Sequence, residues 1–397
     1  MPEAVIVDAI RTPIGRAAKG SLKTVRADDL AAIPLRALVE RNPELDPSSI
    51  VDIMMGCGYG QGEQGYNVGR VAGLLAGIDH HVPACTVNRF CASSLQTARM
   101  AFHAIQMGEG DTYIAAGVEA VSRSTDGGGF EFNHAVDGSE GAAYDVYIPM
   151  GMTAENVAER CNVSRESQDE WAVISQGRAV EAVANGHFDK EIVPVTVPAH
   201  KDVDKEGNEI DVPETVVRKD DGPRAGTTME KLASLKPVFK EGGTVTAGNA
   251  CPLNDGAAAL LIMSEDRAKE LGMKPRARIV ASSVAGLRPE IMGLGPIPAI
   301  EKLLAATKMT MSDIDVVEIN EAFAAQIVPC KEDLGIDDEK LNPFGGAIAL
   351  GHPFGMTGAR IMTTLLNDLE TLDKTYGIES MCAAGGMGMA MLVERLS

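Results

Sequence analysis

Aromatic residues are scarce. Phe, Tyr and Trp make up 4% of the 397 residues, with a single Trp. Any core must therefore be mostly aliphatic, with 19 Met as adaptable filler. Basic residues are too few to balance the acids: 36 Lys and Arg face 56 Asp and Glu, a formal net charge of −20. That balance argues against nucleic acid and anionic membrane as partners, although a local basic patch can still hold a small anion. No apolar run approaches the length of a membrane span. The seven cysteines, at 57, 85, 91, 161, 251, 330 and 382, form no C-x-x-C and no paired spacing. The odd count and the lack of a signal peptide predict free thiols in a reducing cytoplasm. No His/Cys/Asp cluster has metal-site spacing, so no metal is expected.

What is present is ordinary globular material, 45% hydrophobic and 23% charged, with 42 Gly, many of them clustered. The length suits two or three domains. Short apolar runs alternate with helical patterns. "EAVIVDAIRTPIG" reads as a buried strand, "LAAIPLRALVERNPEL" as an amphipathic helix and "IVDIMMGCGYGQG" as a strand entering a glycine-rich loop. "SSLQTARMAFHAIQMG" is a helix stopped at Gly108, and "DTYIAAGVEAVS" is another strand. This alternation predicts an α/β domain with a largely buried sheet. From about 123 to 243 the chain turns polar, charged and glycine-rich, with helices at "MTAENVAERC" and "SRESQDEWAVISQGRAVEAVANG" and a hairpin or exposed excursion at "KDVDKEGNEIDVPE". We read this as an inserted loop domain.

After Pro275 the first pattern returns. "DIDVVEINEAF" echoes "SSIVDIMMGCG", "GARIMTTLLNDLE" echoes "TARMAFHAIQMG", and "SMCAAGGMGMAML" echoes "TYIAAGVEAVS". Three echoes in one order imply an internal duplication. The expected division is 1–122 with about 244–274 as one half, 123–243 as the insertion and 275–397 as the second half. Counting eight residues back from Arg99 and Arg360 gives Cys91 and His352, which the duplication would make counterparts at two helix starts.

Those two residues carry the chemistry. A thiol at a helix N-terminus is stabilised as thiolate by free amides and the helix dipole. An adjacent imidazole completes a Cys–His nucleophile pair. His352 lies between glycines in "GGAIALGHPFGMTG", where a bare backbone admits substrate. A phosphate loop is a poor account of those glycines, because the G-K-[ST] ending is missing. Cys382, in "MCAAGGMGMA", ends a strand at a glycine-rich turn, where the sites of α/β sheets collect. Asn320 and Glu321 of "NEAF" also follow a strand. Glu321 can be read as a base or as a buried acceptor of backbone hydrogen bonds.

At these residues the chain resembles the thiolase family over essentially its whole length. The motifs are "NRFCASSLQ", "PMGMTAENVA", "GTVTAGNACPLNDGAAA", "NEAFAAQ", "GGAIALGHPFGMTGAR" and "CAAGGMG". The resemblance implies duplicated βαβαβαββ halves in a five-layered αβαβα fold with an inserted loop domain. It also implies coenzyme A (CoA) thioesters as substrates, with CoA a substrate and no separate cofactor. By motif, Cys91 resembles the acyl-carrying nucleophile, His352 its base and an oxyanion donor, and Cys382 the acid/base at C2 of acetyl-CoA. Asn320 resembles the residue that orients a water in that oxyanion hole. The N–H groups of Cys91 and Ala384 resemble a second hole. Arg224 matches a position near the nucleotide, and Phe239, Ala247, Ala322, Phe323 and Met150 match the adenine–pantetheine path.

Four positions depart from the family pattern. Ser94 stands where Gly is usual, Cys251 replaces the Ser of the pantetheine path, Phe344 replaces an Asn, and Ala384 replaces a Gly. The "NRFC" motif and Pro149 lean toward a 3-ketoacyl-CoA thiolase of fatty-acid β-oxidation. The alternatives are a biosynthetic acetoacetyl-CoA thiolase and, from another class, a non-catalytic acyl-CoA or lipid carrier on the same scaffold. The resemblance further implies a homodimer or homotetramer, and allows a hydratase–dehydrogenase subunit as partner.

Overall fold

A computed structural model describes residues 2–124, 131–203 and 207–397. Strand β1, Ala4–Arg11, is buried along its whole length. Helix α1 (Ala27–Arg41), β2 (Asp52–Gly56), α2 (Val68–Leu75) and β3 (Ala84–Val87) follow. Helix α3 (Ser93–Met107) stops where Gly108 takes φ 73°, a left-handed helix end that suits glycine. Strand β4 is Thr112–Ala120. Helices α4 (Met150–Arg160) and α5 (Arg165–Ala184) come before β5 (Asn254–Ser264) returns the chain to the sheet. The rest runs β6 (Ala277–Gly286), α6 (Pro296–Thr307), β7 (Val316–Ile319), α7 (Ala324–Leu334), α8 (Thr357–Thr371), β8 (Tyr376–Ala383) and β9 (Met387–Arg395).

The strands join in the order β7-β8-β9-β6-β1-β5-β4-β2-β3. In the first half β2 is parallel to β3 and β4, β4 is antiparallel to β5, and β5 to β1. In the second half β7 is parallel to β8, β8 is antiparallel to β9, and β9 to β6. A parallel bridge from Val317 to Leu341 takes the place of β3. The duplication read from the sequence is therefore real in topology. Within the sheet the halves join where Val5 and Ile6 pair with Arg278 and Ala277.

Helix α8 buries thirteen of its fifteen residues, so it must lie in a middle layer. It crosses α3 closely: a Cβ on Gly358 would fall 2.3 Å from the Leu95 nitrogen. One aliphatic core collects α3, α8 and the inner faces of both half-sheets. A second places α1 and α2 outside the first half, and a third places α6 and α7 outside the second. The layers are thus αβαβα.

Two details of the sequence reading change. Ala115–Gly117 lies inside β4, whereas Ala383–Gly385 spans the end of β8 and the turn after it, so this echo is out of register. Cys91 lies two residues ahead of α3 and His352 five ahead of α8, so the two are not strict counterparts. The matching Arg residues misled the count, since Arg99 and Arg360 sit at different depths in their helices. Within the excursion at 201–214, His200–Val203 pairs antiparallel with Glu209–Val212, and 204–206 lie outside the described residues.

Candidate active site

Cys91 sits in a tight turn, Phe90–Ala92, just ahead of α3. Phe90 has φ 47°, a left-handed conformation that costs a bulky residue about 1–3 kcal/mol. The turn is held on both sides: the Phe90 N–H donates to Asn88 Oδ1 at 2.8 Å, and Ser93 Oγ donates to the Phe90 carbonyl at 2.6 Å. The Cys91 side chain is buried, and burial pushes its thiol pKa well above the usual range. Cys382 and Glu119 add to that rise, while the N–H groups of Cys91 and Ala384, directed at the sulfur, oppose it. Ala384 is not among the residues with positive φ, and the left-handed strain of this turn falls on Gly385 and Gly386 instead. An Ala can therefore occupy position 384 without misdirecting its N–H.

His352 is held at both ends. Gly351 before it has φ 112°, and a Cβ there would strike the Asn254 amide at 2.7 Å. The His352 N–H donates to Asn254 Oδ1 at 2.9 Å. On the ring, Nδ1 meets Thr357 Oγ1 at 2.6 Å, and Thr357 Oγ1 donates its own proton to the Pro353 carbonyl at 2.8 Å. The hydroxyl has one hydrogen and spends it there, so it accepts from His352. The imidazole is then the Nδ1–H tautomer, and its Nε2 lone pair faces Asn320 Nδ2 at 3.3 Å. Burial, with the Arg360 charge adding, lowers the His352 pKa to about 3. Both shifts work against charge, the thiol's upward and the imidazole's downward.

Asn320 follows β7, its N–H bonded to the Ser380 carbonyl at 3.0 Å. Its Oδ1 is buried with no hydrogen-bond partner among the described residues, a state that polar groups rarely keep unless water or a ligand satisfies them. Cys382 is fully buried near the end of β8, and burial raises its thiol pKa strongly. Strand β8 packs against the Phe90–Ala92 turn, which brings the two thiols' elements together. One apolar cluster then joins Cys382 to Met150, Ala322, Phe323, Ala250 and Cys251. Ala250 also lines a cavity of about 290 Å³ with Arg224 and Ala247. Phe239 is partly exposed and approaches Phe323 edge-on at 6.1 Å. Asn320 thus meets His352, Cys382 shares an apolar cluster with Met150, Cys251, Ala322 and Phe323, and Arg224 and Ala247 line a cavity.

The chain belongs to the thiolase family. Residues 4–266 match the family model "Thiolase, N-terminal domain" and residues 273–395 match "Thiolase, C-terminal domain". A beta-ketoadipyl-CoA thiolase of Acinetobacter baylyi is 48% identical over an alignment 413 positions long, covering 100% of both chains. A 3-ketoacyl-CoA thiolase of Aeromonas hydrophila is 47% identical over 403, again covering 100% of both. Among solved structures, the Bacillus anthracis acetyl-CoA acetyltransferase is 40% identical with a TM-score of 0.89, covering 100% of this chain and 99% of that one. The thiolase described here is thus an acyltransferase with a mixed α/β fold.

Several residues important to this thiolase's site escaped the sequence reading. Glu119, fully buried in β4, accepts from the N–H groups of Gly58 (2.8 Å), Tyr59 (3.1 Å) and Gly355 (2.8 Å), and from Gln64 Nε2 (2.9 Å). It ties the loop after β2 to the loop bearing His352. Asn254 and Thr357, which orient His352, lie within quoted motifs but were given no role there. Glu321, open between two readings, proves to be an acceptor: Trp171 Nε1, Ser175 Oγ, Asn342 Nδ2 and the Ile348 N–H all donate to it at 2.6–3.1 Å. Two of those donors come from α5, so Glu321 anchors that helix. Ser94 uses its hydroxyl to accept the Ala359 N–H at 2.8 Å, across the α3–α8 crossing. Phe344 stacks on His187 at 3.7 Å. The cluster Asp79, His80 and His81 does bring metal-type ligand atoms together, on an exposed loop that the spacing argument overlooked. Among the described residues no helix is long and apolar enough to cross a membrane.

Proposed function

We propose that this thiolase cleaves 3-ketoacyl-CoA with CoA to acetyl-CoA and a shortened acyl-CoA, and runs the reverse condensation, through a thioester on Cys91. The observation that carries the reading is the fixed tautomer of His352, whose Nε2 lone pair opens into the cluster that holds Asn320. A neutral Nε2 can take the Cys91 proton as the sulfur attacks C3 of the substrate. The bond between C2 and C3 breaks, and its electron pair becomes the enolate of acetyl-CoA. Protonated His352 and the water oriented by Asn320 stabilise that oxygen. The Cys382 thiol protonates C2. Its thiolate then takes the proton of an incoming CoA, which attacks the Cys91 thioester. The N–H groups of Cys91 and Ala384 hold the tetrahedral oxyanion, and Cys91 leaves with the proton returned by His352.

In this reading residues 123–243 form a loop domain that presents CoA, with Arg224 at the nucleotide and Ala247, Cys251, Met150, Ala322, Phe323 and Phe239 along the path to Cys91. The outer segments 1–122 with about 244–274, and 275–397, are the catalytic halves. A homodimer or homotetramer is part of the proposal, supported by the half-exposed edge strand β3 and by the family resemblance. The names of the relatives favour degradation of a 3-ketoacyl-CoA. The acetyl-CoA acetyltransferase neighbour keeps acetoacetyl-CoA formation as the second reading. The test is CoA-dependent cleavage of 3-ketoacyl-CoAs from four to sixteen carbons and of 3-ketoadipyl-CoA, with mass analysis of the acylated peptide. Acylation elsewhere than Cys91 overturns the nucleophile. Turnover of acetoacetyl-CoA alone selects the second reading.

A further inference from the structure

A basic pocket is unexpected in a chain of net charge −20. The cavity of about 290 Å³ is lined by Arg16, Arg224 and Lys231, and among the described residues no Asp or Glu lines it. These cations come from two parts of the molecule. Arg16 belongs to the two-residue strand Gly15–Arg16, which pairs with β5 at Asn254 and Asp255. Arg224 and Lys231 belong to the insertion.

Arg16 and Arg224 are held through their backbone N–H groups, and Lys231 through its ammonium. The Arg16 N–H donates to Asp221 Oδ2 at 2.9 Å, and the same oxygen accepts from the Ser21 N–H at 2.8 Å. The Arg224 N–H donates to Gln176 Oε1 at 2.8 Å. Lys231 Nζ donates to the Gly226 carbonyl at 2.5 Å, with further donors left over. Burial lowers the Arg224 pKa, and the like charge of Arg16 lowers it further. Like charges gathered in one partly buried pocket repel until an anion of matching charge arrives.

We infer that Arg16 reads the phosphate groups of CoA together with Arg224 and Lys231, so that the nucleotide is clamped between the N-terminal half and the insertion. The inference rests on the thiolase reading above and adds a residue of the sheet domain to nucleotide recognition. Guanidinium groups suit phosphate because they donate in a planar fork. Bridging two parts of the chain also means that CoA, once bound, braces the insertion against the half that carries Cys91.

The experiment compares CoA with pantetheine as acceptor thiol in thiolysis of one 3-ketoacyl-CoA. Pantetheine has the same reactive arm and no phosphate. In Arg16→Ala the ratio of kcat/KM for CoA to kcat/KM for pantetheine should fall roughly 10–100-fold, the worth of one charge-assisted contact. Arg16→Lys should recover part of it, and the salt dependence of KM for CoA should flatten in Arg16→Ala. An unchanged ratio overturns the inference. So does an equal loss with both acceptors, which assigns Arg16 to the fold alone. A parent protein that uses CoA with no 3-ketoacyl donor would defeat the thiolase reading instead.

Discussion

Thr357→Val tests the tautomer on which the mechanism depends. Val keeps the shape of Thr and removes the hydroxyl that accepts from His352 Nδ1 at 2.6 Å and donates to the Pro353 carbonyl at 2.8 Å. The Nδ1–H is then buried without a partner, at a cost of about 1–3 kcal/mol. The ring can escape that cost by moving its proton to Nε2. There it would set a donor against Asn320 Nδ2, now 3.3 Å from a lone pair, and would leave Cys91 without a base. Either route slows acylation, by roughly 5–100-fold if the hydrogen-bond cost is felt in full at the transition state. The assay is single-turnover release of CoA from acetyl-CoA, with thiolysis measured alongside. Thr357→Ser keeps the hydroxyl and should acylate at close to the parent rate. A Val variant as fast as the parent would refute the tautomer argument. A Ser variant as slow as Val would assign the effect to altered packing at position 357 rather than to the hydroxyl, and would equally refute the argument.

The remaining predictions concern the other groups of the site. Cys382→Ala should still exchange acetyl groups between acetyl-CoA and labelled CoA, yet fail to exchange the C2 protons of acetyl-CoA into deuterated water; near-normal cleavage of acetoacetyl-CoA would return Cys382 to the core. Asn320→Ala should slow turnover by roughly 10²–10³, the worth of one oxyanion donor, with little change in melting temperature. If stability drops and specific activity holds, Asn320 is only a turn residue. His352 has its pKa lowered from an ordinary 6.5 to about 3, so below pH 6.5 the unfolded chain binds a proton that the native chain refuses. Its contribution is therefore present above pH 6.5 and is lost as pH falls toward 3, at about 1.4 kcal/mol per unit. Denaturant midpoints between pH 7 and 5 should fall less steeply in His352→Gln than in the parent, and parallel curves would contradict the assignment.

How much of this was legible in the sequence depends on how far apart the partners lie along the chain. Strands and helices with a clear period, such as β1 and α3, were readable because periodicity is local. Cys91, His352, Cys382 and Asn320 were readable because each sits where an element meets a polar or glycine-rich turn. Glu119, Asn254 and Thr357 were not. Glu119 reaches Gly355 across 236 positions and Asn254 reaches His352 across 98, and no pattern near either residue announces such a partner. Thr357 reads as an ordinary first residue of a helix. The strain at Phe90 was equally hidden, because it is imposed by Asn88 and Ser93 together rather than by Phe90 itself. The two misaligned echoes have a different cause: repeated letters were matched where the halves share topology but not loop length.

The place of β1 in the sheet bears on how the chain is made. Its eight residues are all buried, between β5 on one side and β6 on the other. Both neighbours leave the ribosome after residue 253. At roughly 5–20 residues per second, the first strand waits on the order of 10–50 s for any partner in the sheet. During that time the half that bears Cys91 is missing a central strand, and an apolar edge stands open to other chains. The insertion lengthens the wait, since its residues must be made before β5 appears. Nascent chains arrested short of Asn254 should therefore remain open to protease and to chaperones, whereas chains arrested beyond Gly286 should gain protection across both sides of β1 at once.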